Sequence, residues 1–150
     1  MRKALALGIA TAFVAVSLVG CGSNGSNASS TSSNSSASGA YKDGTYKAEQ
    51  AAFDDHGYKG QIEITVKDGK ITNVLYNEVD KDGKFKRDDE NYASKMKAKT
   101  NTTPKEADEK LQQELIDSQD TSKVDTVAGA TETSKTFKEL ADQALKDAKN

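Results

Sequence analysis

The sequence predicts a small α+β domain, an antiparallel sheet with a β-hairpin packed by C-terminal helices, set behind a secretory leader and a linker. Three observations predict it. Strand patterns come first in the folded part and helical patterns follow, the order of an α+β fold and not of alternating βα units. Two alternating runs flank an Asp-Gly pair, the signature of a tight hairpin. Beyond the leader, nearly all the large apolar residues of the 150-residue chain fall after position 40, enough for one modest core.

Arg2 and Lys3 precede an apolar run from Ala4 to Gly20. A charged start and a short apolar middle make a secretory signal, and the run is shorter than the roughly 20 residues of a spanning helix. It ends in Leu18-Val19-Gly20-Cys21, similar to a bacterial lipobox, and the single Cys of the chain stands where that motif receives lipid. Residues 1–20 are read as a lipoprotein signal peptide, and Cys21 as the lipidated start of the mature chain. Two or three acyl chains there would anchor the protein stably to the outer face of the membrane. No thiol would then remain for redox chemistry. Residues 22–40 are Ser, Asn, Gly, Ala and one Thr, with no charge. With nothing to bury, 21–40 reads as a disordered linker, with a root-mean-square reach of roughly 25 Å.

The folded domain is assigned to 41–150. Tyr41 to Tyr46 gives a turn and a short strand. Ile62, Ile64 and Val66 alternate with Glu63 and Thr65, Asp68-Gly69 turns the chain, and Ile71 to Tyr76 returns it. Asp82-Gly83 marks a second turn within Asp80 to Arg87. Asp88 to Lys99 reads as a short helix with Tyr92 and Met96 on one face. Thr103-Pro104-Lys105-Glu106 is a strong helix start: a hydroxyl cap, Pro at the first position and a capping-box Glu. Ala107, Leu111 and Leu115 carry that helix to about Ser118. Phe137, Leu140, Ala141, Ala144, Leu145 and Ala148 recur at three and four, the stripe of a last amphipathic helix, with Thr133 or Ser134 as its N-cap.

Composition narrows the function. The chain has 21 Lys and Arg against 23 Asp and Glu, net −2, and a mildly acidic surface argues against nucleic acid as the main partner. One Cys, one His and no Trp exclude a disulfide framework and a multi-Cys metal centre. Asp54-Asp55 and Asp88-Asp89-Glu90 lack the Gly and spacing of a calcium loop and read as solvated acidic turns. No Gly-rich phosphate loop follows a strand.

One stretch gathers chemistry. In Val124 to Ser134, the small residues Ala128, Gly129 and Ala130 permit a close approach to the backbone. Thr131 adds a hydroxyl, and a helix begins nearby. A helix start favours phosphate through its free N–H groups and dipole. An ordinary capped loop would need only one of these hydroxyls, and that reading stands beside the phosphate reading.

Asp125, Ala128, Gly129, Ala130, Thr131 and Thr133 together resemble the flavinylation motif of the FMN-binding domains. These occur in sodium-pumping quinone reductases, in electron-transport complexes and in Gram-positive surface lipoproteins of extracellular electron transfer. Asp43-Gly44-Thr45-Tyr46, the run from Ile62 to Ile71 and Phe53 to Tyr58 are also similar to that family. The resemblance implies covalent FMN, held by a phosphoester to Thr131 and installed from FAD by a separate flavin transferase. Asp125, Gly129 and Ala130 would be motif context, and Ala128 departs from the more usual Ser or Thr. Thr133 and Ser134 complete the candidate site. It also implies an electron carrier more than a catalyst, taking electrons from a membrane quinone-linked oxidoreductase and passing them to extracellular acceptors.

His56, the only His, reads either as a flavin neighbour that donates a hydrogen bond or as a surface loop residue eased by Asp54 and Asp55. Tyr58, Tyr76 and Tyr92 would stack on a ring or close the edge of the core. The competing function is a lipid-anchored extracytoplasmic binding module without a cofactor. The leader segment Phe13 to Gly20 also resembles a hydrophobic octapeptide pheromone.

Overall fold

The computed structural model describes residues 40–149; the signal peptide, Cys21 and residues 22–39 of the linker lie outside the described residues. The domain has the expected α+β architecture. Strands β1 (Gly44–Glu49), β2 (Lys59–Lys67) and β3 (Lys70–Val79) form one antiparallel sheet in the order β1-β2-β3. Helices α1 (Glu90–Thr100), α2 (Pro104–Ser118) and α3 (Thr131–Leu145) follow.

The hairpin turns where the sequence places it. Asp68 and Gly69 both take positive φ, 52° and 71°, as a two-residue turn of the primed type requires. Ile62 pairs with Tyr76 and Ile64 with Val74, so their side chains share the inner face. The register then slips between Thr65 and Val66, and Val66 faces Ile71. This bulge absorbs one extra residue on β3 and lets Ile71 and Val74, odd and even in number, both point inward.

Helices α2 and α3 cover that inner face. Leu111, Leu115, Phe137 and Leu145 are completely buried against Ile64 and Tyr76, each contributing roughly 1.5–3 kcal/mol of burial. The capping box of α2 is formed: Thr103 Oγ1 accepts from the Glu106 N–H at 3.2 Å, and the Thr103 N–H donates to Glu106 Oε2 at 2.9 Å. The helix ends at Ser118 because Gln119 turns left-handed, φ 57°. The Gln119 amide then pairs with both backbone groups of Ile71, at 2.7 and 2.8 Å, and so ties the end of α2 to the start of β3.

The outer face of the sheet is polar and carries Lys47 paired with Glu63 at 2.6 Å. Leu75 is its exposed apolar residue. Helix α1 starts two residues later than the sequence predicts. A 3-10 turn, Lys86–Asp88, takes up the first of these residues, and the Asp89 side chain caps by accepting from the Tyr92 N–H. Tyr92 and Met96 are half-buried on its inner side, as their spacing predicts. The ends of the domain meet: Tyr41 bridges to Lys149, and the Lys42 N–H donates to the Ala148 carbonyl at 2.6 Å. Among the described residues no helix is long and apolar enough to cross a membrane.

Candidate functional site

The segment between α2 and α3 is held by its apolar residues. Val124, Val127 and Ala130 are buried at every third position, while Asp125, Ala128 and Gly129 face outward. A tight turn closes when the Ala130 N–H donates to the Val127 carbonyl at 3.0 Å. Gly129 takes φ +80° at its tip, and a Cβ there would lie 2.3 Å from the Thr100 Cβ. The small residue therefore serves first to seat the loop against the end of α1, not only to admit another molecule.

Helix α3 begins at Thr131, earlier than the sequence predicts, and neither Thr133 nor Ser134 is its N-cap. The reason lies in what their hydroxyls do. The Ser134 hydroxyl is completely buried, accepts from the Val127 N–H at 3.0 Å and donates to the Ala130 carbonyl at 2.8 Å. It clamps the loop to the first turn of the helix. The Thr133 hydroxyl turns to the Glu78 carboxylate at 3.3 Å. Ala130 occupies the cap position and has no side chain to offer, so the first turn of α3 has no side-chain cap. Its N–H groups and dipole face outward as a ready anion site.

Thr131, at the first helical position, is exposed and opens on a cavity of about 530 Å³, within the range of small-molecule sites. Gly129, Ala130, Thr131 and Thr133 form one wall. Helix α1 supplies the opposite wall with Tyr92, Lys95, Met96 and Lys99. Asp54 and His56, from the loop after β1, and the buried Lys86 complete the lining. Among the described residues neither Lys95 nor Lys99 is ion-paired. A phosphate fits the uncapped helix start and these cations. A flat apolar group fits the Tyr92 and Met96 side of the cavity.

Of the sequence-predicted residues, the structure brings Gly129, Ala130, Thr131, Thr133 and His56 to one cavity. Asp125 is exposed to one side, its N–H donating to Glu114 Oε2 at 2.9 Å. Ala128 is exposed on the outside of the loop, and Ser134 lies beneath it. The His56 N–H and the Tyr58 N–H both donate to Asp54 Oδ1, at 2.9 and 2.8 Å, so that carboxylate shapes the loop. Tyr76 is a core residue packed edge-on against Phe137 at 5.2 Å and does not line the cavity. Tyr92 lines it, and Tyr58 stands edge-on to Tyr92 at 5.7 Å. Burial, then the Asp89 carboxylate, raises the Tyr58 phenol above its ordinary value. Lys86, Lys95, Lys99, Thr100 and Glu132 join the site without having been singled out, and Met96, read only as a helix-face residue, joins them. Lys95 and Lys99, four apart on the face next to Tyr92 and Met96, carried a legible spacing signal; Lys86 carried none. A hollow of about 590 Å³ on the outer sheet face, near Leu75 and Asn77, has neither a helix start nor a hydroxyl from the motif.

Comparison with known proteins places the domain in a family. The profile of the FMN-binding domain matches residues 57–146, from the loop after β1 through α3. The chain is 35% identical over 106 residues to a 15 kDa lipoprotein of Treponema pallidum (strain Nichols), covering 71% of this chain and 75% of that one. It is similar to a crystal structure of a Clostridium perfringens protein, with 42% identity and a TM-score of 0.69 over 72% of this chain and 88% of that one. A solution structure from Clostridium thermocellum shares 32% identity, with a TM-score of 0.49 over 71% and 91% of the two chains. With more than half its length matched and the motif seated at a helix start, this chain belongs to the FMN-binding domain family.

Proposed function

We propose that this protein is a lipid-anchored surface flavoprotein that carries FMN on Thr131 and relays electrons outside the membrane. The single observation that carries the reading is the position of Thr131, exposed at the first turn of an uncapped helix and facing a cavity of matching size. Membership of the FMN-binding domain family and the lipoprotein name of its Treponema relative support it, as does Cys21 at the end of the leader.

In this reading a flavin transferase brings FAD to the cavity. The Thr131 hydroxyl forms a new bond to the flavin-side phosphorus, the pyrophosphate bond breaks, AMP leaves and the hydroxyl proton is released. The helix N–H groups, Lys95 and Lys99 hold the phosphate charge during and after transfer. Tyr92 and Met96 shield the apolar ring. The bound isoalloxazine supplies one- or two-electron chemistry. A covalent bond suits an extracytoplasmic carrier, because a dissociable flavin would be lost by dilution. The lipid anchor and linker keep the carrier concentrated near its membrane partners, a quinone-linked oxidoreductase as donor and external acceptors beyond it.

The test is the intact mass of the full mature chain, prepared with and without a flavin transferase and FAD. A gain of one FMN less one water, absent from Thr131→Ala, is the expected result. A chain that stays unmodified while a control domain is labelled would sink the reading. It would favour a cofactor-free binding module.

A further inference from the structure

An ion pair lies buried beside the site, at a position the motif does not account for. Lys86 Nζ meets Glu78 Oε2 at 2.8 Å, and both side chains are 7% exposed. The ammonium sits against both rings of an edge-on aromatic pair, 5.1 Å from the Tyr58 ring centre and 4.9 Å from that of Tyr92. The Glu78 carboxylate also accepts from the Tyr76 hydroxyl at 3.3 Å and from the Thr133 hydroxyl at 3.3 Å. Burial works against the charged lysine, but the Glu78 carboxylate and, after it, Tyr92 together raise its pKa above the ordinary value.

A buried pair is seldom worth its desolvation as a stabilising device, since apolar residues of the same volume serve as well. Its direction is informative. Lys86 lines the cavity, whereas Glu78 does not and is engaged behind it. The pair is a fixed dipole with its positive end toward the cavity, in surroundings where water screens little. The two rings and the carboxylate hold the ammonium in place, so it reorganises little when the charge in the cavity changes.

Resting on the flavin reading above, we propose that Lys86 sets the redox balance of the cavity. Its ammonium favours the form of the bound group that carries the additional negative charge. Two electrons from dithionite, which is oxidised to sulfite, and one proton from solvent leave the ring one charge more negative. The cation stabilises that state over the oxidised one.

The experiment uses the full mature chain loaded by transferase and FAD, with loading read by intact mass. The ratio of oxidised to reduced flavin is then read by absorbance against an indicator dye of known potential. Lys86→Met with Glu78→Gln removes both charges at nearly constant volume and leaves no buried charge unpaired. Lys86→Arg keeps the cation. In the loaded fraction of the double variant, identified by intact mass, the ratio is expected to shift at least tenfold toward the oxidised form at fixed potential, about 30 mV for a two-electron couple. Lys86→Arg is expected to stay within threefold of wild type. An unchanged ratio in the loaded double variant would overturn the role of Lys86 while leaving the flavin reading intact. An equal shift in the Arg variant would overturn it as an effect of packing. A wild-type chain that takes no flavin would remove both readings together.

Discussion

Arg87 reaches Asp108 from outside the core and satisfies only one of its two oxygens. Its guanidinium donates to Asp108 Oδ2 at 3.0 and 3.2 Å, while Oδ1 is buried with no partner. Burial pushes the Asp108 carboxyl up to about 7, against the opposing pull of Arg87. An unfolded Asp titrates near 3.9, so the folded state binds the proton more tightly. The stabilisation from that proton is fully present below about pH 4 and is lost as pH rises toward 7. Asp108→Asn is expected to flatten the fall in unfolding free energy over this window, with stability at pH 8 at least equal to wild type. Urea unfolding at pH 4.5, 6 and 8 measures it, and an unchanged slope would assign the dependence elsewhere.

Gly129→Ala meets two obstacles, a left-handed backbone and a Cβ 2.3 Å from that of Thr100. Strain of this kind costs roughly 1–3 kcal/mol for the backbone and a similar amount for overpacking. The expected loss is therefore about 2–6 kcal/mol, partly recovered when Thr100→Gly is added. Thermal unfolding of the single and double variants tests it; no recovery would mean that the backbone alone imposes the glycine.

Ser134→Ala removes the buried hydroxyl that joins the Val127 N–H to the first turn of α3. An unsatisfied buried N–H costs roughly 1–3 kcal/mol. Chemical denaturation should show a loss of that size, and hydrogen exchange should quicken at the amides of Val127 and position 134 before it does in α2. A loss spread evenly over the domain would contradict the clamp.

Lys95→Glu with Lys99→Glu reverses two exposed charges at the cavity mouth. Stability should change little, since exposed charges contribute little. The initial rate of flavin transfer should fall about tenfold at low ionic strength, and the gap should narrow by 0.5 M salt as screening grows. A rate equal to wild type at low salt would remove these lysines from phosphate capture.

What was legible in the sequence was set by local rules. The hairpin at Asp68-Gly69 and the capping box at Thr103 depend on a few adjacent residues, and both are formed as read. The start of α3 was misplaced because a capping hydroxyl and a buried one look alike in a sequence. Ser134 is turned inward by the Val127 N–H, seven residues away. The role of Gly129 depends on Thr100, and the cavity depends on α1 folding back across the loop. Lys86 could not be recognised, since its partners Glu78, Tyr58 and Tyr92 meet only after the sheet and the helices have assembled.

The pairing of Tyr41 with Lys149 has a consequence for reach. It fixes the point where the preceding chain enters the domain to the C-terminal end of α3. Thr131 lies at the other end of that helix, whose 15 residues span about 22 Å. In the anchored protein proposed here, the leash is therefore fastened at the opposite pole from the reactive hydroxyl. Helix α3 thus sets the cavity one helix length away from the point where the chain enters the domain.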